Sequence, residues 1–234
     1  MIQPEVSVIL LTYQDNPAWL QEAIDSVLQQ VGVRVHLVVT TVQGDPAIKV
    51  AEKLHLEVLV NDHAGIYYQL NNALPLATKD WFVVAGGNDV LLPTKLIDEV
   101  NMCVAMGKSV CYSDFHAGSR HLSIRRSNPC VDYSYALHMS VGNIVPDNGL
   151  MKREILEKYG PFRHVQFGNL AFYDFWLRVA EGEGEGVFIH NWKFEWIYRI
   201  CTESRHIQRK RNKLARRQHS MAIAQLQAFH RGHK

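Results

Sequence analysis

The sequence predicts an α/β fold with a mostly parallel central sheet, and three observations carry that expectation. Short apolar runs recur at residues 6–11, 33–39, 56–60 and 81–85, the length and continuity of strands buried on both faces. Between them lie segments with apolar residues at helical spacing, so strands and helices alternate and neighbouring strands are joined by crossovers. Hydrophobic residues make up 47% and charged residues 21% of the 234-residue chain, enough apolar material for the core of one large domain with an appendage.

Each element has a local reason. Residues 6–11 form the first strand, after which Asn16 supplies a helix cap and Pro17 a first-turn proline. Leu20, Ala23, Ile24, Val27 and Leu28 then share one helical face. Residues 33–39 read as the second strand, 46–54 as a helix with apolar Ile48, Val50, Ala51 and Leu54, and 56–60 as the third strand. A helix is predicted over 65–77 despite Pro75, and the fourth strand over 81–85. Beyond it the pattern is less regular: a helix over 152–159 closed by Gly160-Pro161, another over 171–180, a flexible acidic turn at 181–186, and an apolar-aromatic stretch to Ile200. The last segment reads as a helix with Ile207, Leu214, Met221, Ala222 and Phe229 on one side.

Charge divides the chain. All 23 acidic residues fall at or before Glu203, whereas residues 205–234 hold nine Lys and Arg. A body of residues 1–200 with a basic helical tail at 201–234 is the expected organisation, and the tail suits an anionic partner such as lipid or nucleic acid. No run approaches the roughly 18–20 apolar residues of a membrane-spanning helix, and the N-terminus lacks the pattern of a signal peptide. Cys103, Cys111, Cys130 and Cys201 show no CxxC pairing or zinc-finger spacing, with Cys103 and Cys111 expected as packed thiols. The expectation is a cytoplasmic protein, peripheral at a membrane at most.

In a parallel sheet ligands bind beyond the carboxyl ends of the strands. The segments there are Thr12-Tyr13-Gln14, Thr40-Thr41, Asn61-Asp62-His63-Ala64-Gly65 and Gly86-Gly87-Asn88-Asp89. The last has glycines that admit a close ligand and oxygen donors suited to Mg²⁺ or Mn²⁺. The same four residues are also good turn chemistry.

Residues 6–13 with the helix that follows resemble the opening of family 2 glycosyltransferases. Asp62-His63-Ala64-Gly65-Ile66-Tyr67-Tyr68-Gln69-Leu70-Asn71-Asn72-Ala73 is similar to their D-x-G-I-Y-D-A-M-N segment. Residues 77–93 are similar to the segment carrying the D-x-D motif, and Gly160-Pro161-Phe162 followed by Tyr173-Asp174 and Arg178 resembles G-x-F…(E/D)-D-x-x-x-x-R. The resemblance spans residues 6–180 in order.

It implies a GT-A (Rossmann-like) nucleotide-binding domain and an inverting, metal-dependent hexosyl transfer from a nucleoside diphosphate sugar, a UDP-sugar being favoured. Asp174 is then the catalytic base, Asp89 the metal ligand, and Thr12, Tyr13, Thr40, Asp62, Gly65, Asn71 and Asn88 the nucleotide-binding residues. The favoured acceptor is a lipid-linked saccharide, with a nucleic acid as the alternative suggested by the tail. The chain departs from the pattern at Gly86-Gly87-Asn88-Asp89, where two acidic positions are gone, and at Thr40-Thr41, where a carboxylate is expected. Those losses support the rival expectation of a degenerate, nucleotide-sugar-binding relative. Asp174 has its own plain alternative, an ion pair with Arg178 four residues on. His138 and His164 are further candidates for diphosphate contact, and Tyr67, Tyr68, Trp176 and Trp192 for stacking, with core packing the expected role of the aromatics.

Overall fold

Val6, Val8 and Leu10 are fully buried on one face of β1 (Glu5–Leu11) and Ile9 on the other, the period-two burial of a strand covered on both sides. The computed structural model describes residues 3–200 and 213–232, with side chains described up to Ile200 and from Arg217. Cys201, Glu203 and Ile207, and of the nine basic tail residues Arg205, Arg209, Lys210, Arg211 and Lys234, lie outside the described residues, as do the side chains of Lys213, Leu214 and Arg216.

α1 (Pro17–Leu28) begins as its sequence dictates, with the Asn16 side chain accepting the Ala18 N–H at 2.9 Å. β2 (Arg34–Val42), α2 (Ala47–Lys53), β3 (Glu57–Asn61), α3 (Ile66–Ala73) and β4 (Trp81–Gly86) follow as predicted, except that Pro75 turns the end of α3 into a 3-10 turn at Leu74–Leu76. β1 pairs in parallel with both β2 and β4, and β2 with β3.

The second half is more regular than its sequence suggests. It contains β5 (Val90–Leu91), α4 (Lys95–Met106), β6 (Val110–Gly118), β7 (Ile124–Asn128), α5 (Tyr135–Val141), β8 (Leu150–Lys152), α6 (Arg153–Tyr159), α7 (His164–Phe167), α8 (Ala171–Glu183), β9 (Phe188–Arg199) and, after the undescribed residues, α9 (Lys213–Gly232). Among the described residues the strands form one sheet in the order β3-β2-β1-β4-β8-β6-β9-β5, with β7 added at β6. The long β6–β9 ladder is parallel, so the longer ladders of the sheet are parallel and the short ones antiparallel. α1, α2 and α4 cover one face, and α3, α6 and α8 the other.

Two expectations need correction. The acidic stretch at 181–186 is not a free turn: α8 runs through Glu183, which accepts hydrogen bonds from Lys158 and from Tyr159 at 2.8 Å. Gly182 lets α8 pack against the Tyr159 ring, where any Cβ would collide with the phenol. In α9, Met221 is exposed, and the inward stripe is Ala222, Ile223, Leu226 and His230. Helical phase explains this, since positions four apart share a face and Met221 lies one residue off it.

Glu195 of β9 is buried, and desolvation together with a hydrogen bond to the Asp98 carboxyl pushes its pKa up to about 7. A raised acid favours its neutral form in the fold, so the penalty is absent below the ordinary carboxylate range and complete above pH 7. Glu195→Gln keeps a donor toward Asp98. It is expected to stabilise the protein by about 1–3 kcal/mol at pH 8 and to change little at pH 4, read from urea unfolding midpoints at the two pH values.

Candidate functional site

The carboxyl ends of β1 and β4 lie side by side, with Leu11 paired to Gly86. Just beyond β1 the chain reverses at Gln14, whose φ of 53° lies in the left-handed region, a conformation costly for a residue with a Cβ. The turn is held by the Gln14 N–H donating to Asp45 Oδ2 at 2.6 Å. It returns Asp15 toward the sheet, where its carboxylate accepts from the Thr12 hydroxyl at 3.0 Å. A Cβ on Gly87 would sit 2.7 Å from Asp15 Oδ2 and 2.9 Å from Thr12 Cβ, and one on Gly86 2.9 Å from Asp89 Oδ2. Glycine is therefore required at both positions, and Asp15 fills the space a side chain at 87 would enter.

Asp89 stands at the centre of this edge. Burial pushes its pKa up to about 7, the Arg199 N–H partly offsets that, and the Asp15 and Asp147 carboxylates raise it further. The Asp15 carboxyl is likewise raised, chiefly by burial. Arg199, fully buried at the end of β9, donates its backbone N–H to Asp89 Oδ1 at 3.1 Å and its Nε–H to the Asn88 carbonyl at 2.9 Å. Its guanidinium also pairs with Glu22 and lies over the Trp19 ring. The Asp15 and Asp89 carboxylates thus lie on one strand edge beside Gly86 and Gly87, and the nearby arginine is committed partly to Glu22. Oxygen donors of this kind suit Mg²⁺ or Mn²⁺.

The nucleotide residues expected from the sequence are spread along the same edge. Thr12 is buried and donates its N–H to the Thr40 carbonyl at 3.1 Å, and Tyr13 is half exposed beside it. Thr40 is buried, its hydroxyl accepting from the Asn61 amide at 2.9 Å; its side chain ties β2 to β3. Asp62 is exposed, and the Tyr68 hydroxyl bound to it at 2.6 Å holds its pKa below the ordinary range. Gly65 caps α3. Asn71 points elsewhere: its amide donates to the Phe162 carbonyl and its carbonyl accepts the Phe162 N–H, each at 2.9 Å. A cleft of about 370 Å³ opens there, lined by Asn71, Phe162, Arg163 and His164.

Asp174 lies in a second cluster. It is fully buried in the first turn of α8, paired bidentately with Arg163, with Arg178 at 3.0 Å and with His230 of α9 at 3.1 Å. Burial pulls its pKa upward, but the hydrogen bonds from His230 and Arg163 and the charge of Arg178 outweigh it and hold the carboxyl low. The pairing with Arg178 foreseen from the spacing is present, and Arg163 and the His230 imidazole join it. α9 reaches this point because Leu226 packs with Leu170, Tyr173 and Leu177, while the other nitrogen of His230 meets Glu181 at 2.8 Å. Arg163 is clamped between the Phe167 and Phe229 rings, 5.2 and 5.3 Å from their centroids.

Of the remaining candidates, His138 is buried between Tyr133 and Tyr173, where burial lowers its pKa to about 3, and His164 bonds to Asn71. Tyr67 and Trp176 are buried in the core, Tyr68 stacks on His63, and Trp192 is exposed. Sequence reasoning missed Asp15, Asp147, Arg163, Arg199 and His230. Asp15 was open to discovery, because it follows the first strand end directly; the others arrive from distant segments.

No family model matches the sequence, and no curated protein does. Solved structures do match. The crystal structure of S. aureus TarS superposes with a TM-score of 0.64 at 13% identity, over 85% of this chain and 37% of that one. TarS 1–349 in complex with UDP gives 0.64 at 15% identity, over 85% and 61%. The UDP-GlcNAc complex gives 0.64 at 14% identity, over 87% and 60%. The chain therefore spans less than two thirds of these relatives in fold. Its curled, mostly parallel sheet with helices on both faces is a GT-A-like glycosyltransferase fold.

Proposed function

We propose that the chain is a glycosyltransferase that moves a sugar from a nucleoside diphosphate sugar to an acceptor hydroxyl. The observation that carries this reading is the meeting of Asp89 and Asp15 beside Gly86 and Gly87 at the carboxyl edge of β1 and β4, where α/β sheets bind ligands. The structural relatives supply the donor class, since TarS 1–349 has been crystallised with UDP and with UDP-GlcNAc. Gly86-Gly87-Asn88-Asp89 lacks two acidic positions of the family pattern, and Asp15 brings a carboxylate to that edge from the segment after β1.

In this reading Asp89, Asp15, Asp147 and the Asn88 amide hold Mg²⁺ or Mn²⁺, which when bound neutralises charge on the departing diphosphate. Thr12, Tyr13, Thr40, Asp62 and Gly65 border the nucleotide. The acceptor oxygen attacks the anomeric carbon, the bond from that carbon to the diphosphate oxygen breaks, and the acceptor proton passes to Asp174. The depressed pKa keeps Asp174 ionised at neutral pH, and Arg163, Arg178 or His230 must free one of its lone pairs for the acceptor. Asn71 and Arg163 line the cleft beside it. A lipid-linked saccharide is the favoured acceptor. Among the described residues no helix is long and apolar enough to cross a membrane; in this reading the basic tail makes peripheral contact with a membrane that holds such an acceptor. The nine basic residues at 205–234 support a polynucleotide acceptor as the second reading, with a signature of steep salt dependence.

The test is a donor screen with UDP-, GDP-, dTDP- and CMP-sugars and Mn²⁺ or Mg²⁺, following nucleotide release and melting temperature. Release from a UDP-sugar, with metal-dependent stabilisation by UDP, is the expected result. Neither release nor a melting shift with any donor would discard both the enzymatic reading and a surviving donor pocket.

A further inference from the structure

A second cluster of metal-binding side chains lies away from the β1–β4 edge, where β6 and β9 meet the segment between β7 and α5. Asp114, Cys130 and His190 bring a carboxylate oxygen, a thiol sulfur and an imidazole nitrogen within 4.8 Å of one another. Asp114 and His190 are both about 4% exposed, while Cys130 is half-buried. The backbone is shaped around them: the β6–β9 register shifts on both sides of Asp114, between Ser113 and Asp114 and again between Asp114 and Phe115. Asp114 Oδ1 also accepts the Cys130 N–H at 2.7 Å, which fixes the loop that carries the thiol.

The imidazole is the informative member. Its Nε2 lies 2.7 Å from Asp114 Oδ1, and its Nδ1 3.1 Å from Oδ1 of Asp132. Both ring nitrogens therefore face carboxylate oxygens. Among the described residues no Lys or Arg forms an ion pair with Asp114 or Asp132. Two carboxylates and a thiol thus cluster around one imidazole. A carboxylate on the outer nitrogen is also the arrangement that orients a metal-binding histidine. The Tyr112 ring stacks on His190 at 5.2 Å and 6°, which fixes the plane of the imidazole.

We propose that Asp114, Cys130 and His190 form a zinc site. His190 Nε2, the Cys130 thiolate and one Asp114 oxygen are the protein ligands, water takes the fourth position, and Asp132 holds the imidazole from outside. Mixed N, S and O donors in a half-buried setting select zinc over the hard cations suited to the β1–β4 edge. Binding replaces the thiol proton, which goes to solvent, and uses the lone pair of Nε2 in the tautomer whose Nδ1–H faces Asp132. The ion then staples the β6–β9 bulge to the loop before α5. This inference does not rest on the proposed transfer reaction.

Its test is the zinc content of the purified full chain by elemental analysis, with zinc affinity measured by competition against a chromogenic chelator. Cobalt substitution adds a thiolate-to-metal charge-transfer band as a readout independent of any activity. Stoichiometric zinc is expected in the wild type. Cys130→Ser should weaken it by roughly 100-fold or more and abolish the cobalt band, and Asp132→Asn should weaken it by roughly 10–100-fold. Asp89→Asn should leave zinc binding and the cobalt band in place. Absence of bound zinc together with absence of a cobalt band in the wild type would overturn the proposal. So would zinc that survives Cys130→Ser, or that disappears with Asp89→Asn.

Discussion

Asp89→Ala is expected to reduce nucleotide release from the donor by about 100–1,000-fold and to remove the Mn²⁺-dependent thermal shift produced by UDP. Asp89 is the carboxylate on which the strand edge converges: Asp15 and Asp147 both act on it electrostatically, and Arg199 bonds its Oδ1. Removing it leaves the two flanking carboxylates without the group they surround. The fold should survive, because the Arg199 guanidinium keeps Glu22 and the Asn88 carbonyl. Asp15→Asn provides the internal comparison. If Asp15 stands in for an acidic group missing at 86–88, this variant should lose metal-dependent UDP binding too, to a smaller extent. An Asp89→Ala protein that still shows the full Mn²⁺-dependent shift would place the diphosphate elsewhere on the sheet.

Asp174→Asn should have two separable consequences. Neutralising a fully buried carboxylate that pairs with Arg163, Arg178 and His230 strands partly buried cations, a change that costs about 3–5 kcal/mol when fully buried. Arg163 and Arg178 retain 31% and 17% side-chain exposure, so a loss nearer 2–4 kcal/mol is expected from denaturant unfolding. If Asp174 also takes the acceptor proton, turnover should fall about 100–10,000-fold at temperatures where the variant is fully folded, with the donor KM little changed. Folded Asp174→Asn enzyme with wild-type turnover would reduce this residue to an ion-pair hub.

His230→Ala separates the two roles, since it removes one partner from Asp174 and leaves the carboxylate in place. It should weaken the docking of α9 through the lost Asp174 and Glu181 contacts. A turnover that rises or holds in this variant would mean that α9 restrains the base. A parallel fall in stability and turnover would mean that it positions the base.

The parallel half of the sheet was legible because its signals are local. Asn16 and Pro17 start α1 by capping geometry, and residues 6–11, 33–39, 56–60 and 81–85 are apolar runs that can only be buried. Period and punctuation placed β1 through β4 within a few residues, and the strand-end rule led to Thr12, Thr40, Asn88 and Asp89. Asp174 and Arg178 were legible for the same reason, lying four residues apart on one helix.

The rest depends on contacts between distant segments, which no local pattern encodes. β8 is three residues long and gains its place only by pairing with both β4 and β6. β6 and β9 pair in parallel across some seventy residues of chain, because their apolar faces need the same two helical layers. Asp147 and Arg199 reach Asp89, His190 reaches Asp114, and His230 reaches Asp174 through packing of whole elements. What the sequence determined by itself is therefore the α/β alternation and the strand-end edge on which the candidate site lies, since both follow from burial and capping along a short stretch of chain. What the tertiary structure alone decided is which charges meet at that edge and around Asp174. Such meetings are set by the balance of desolvation and pairing among groups far apart in sequence.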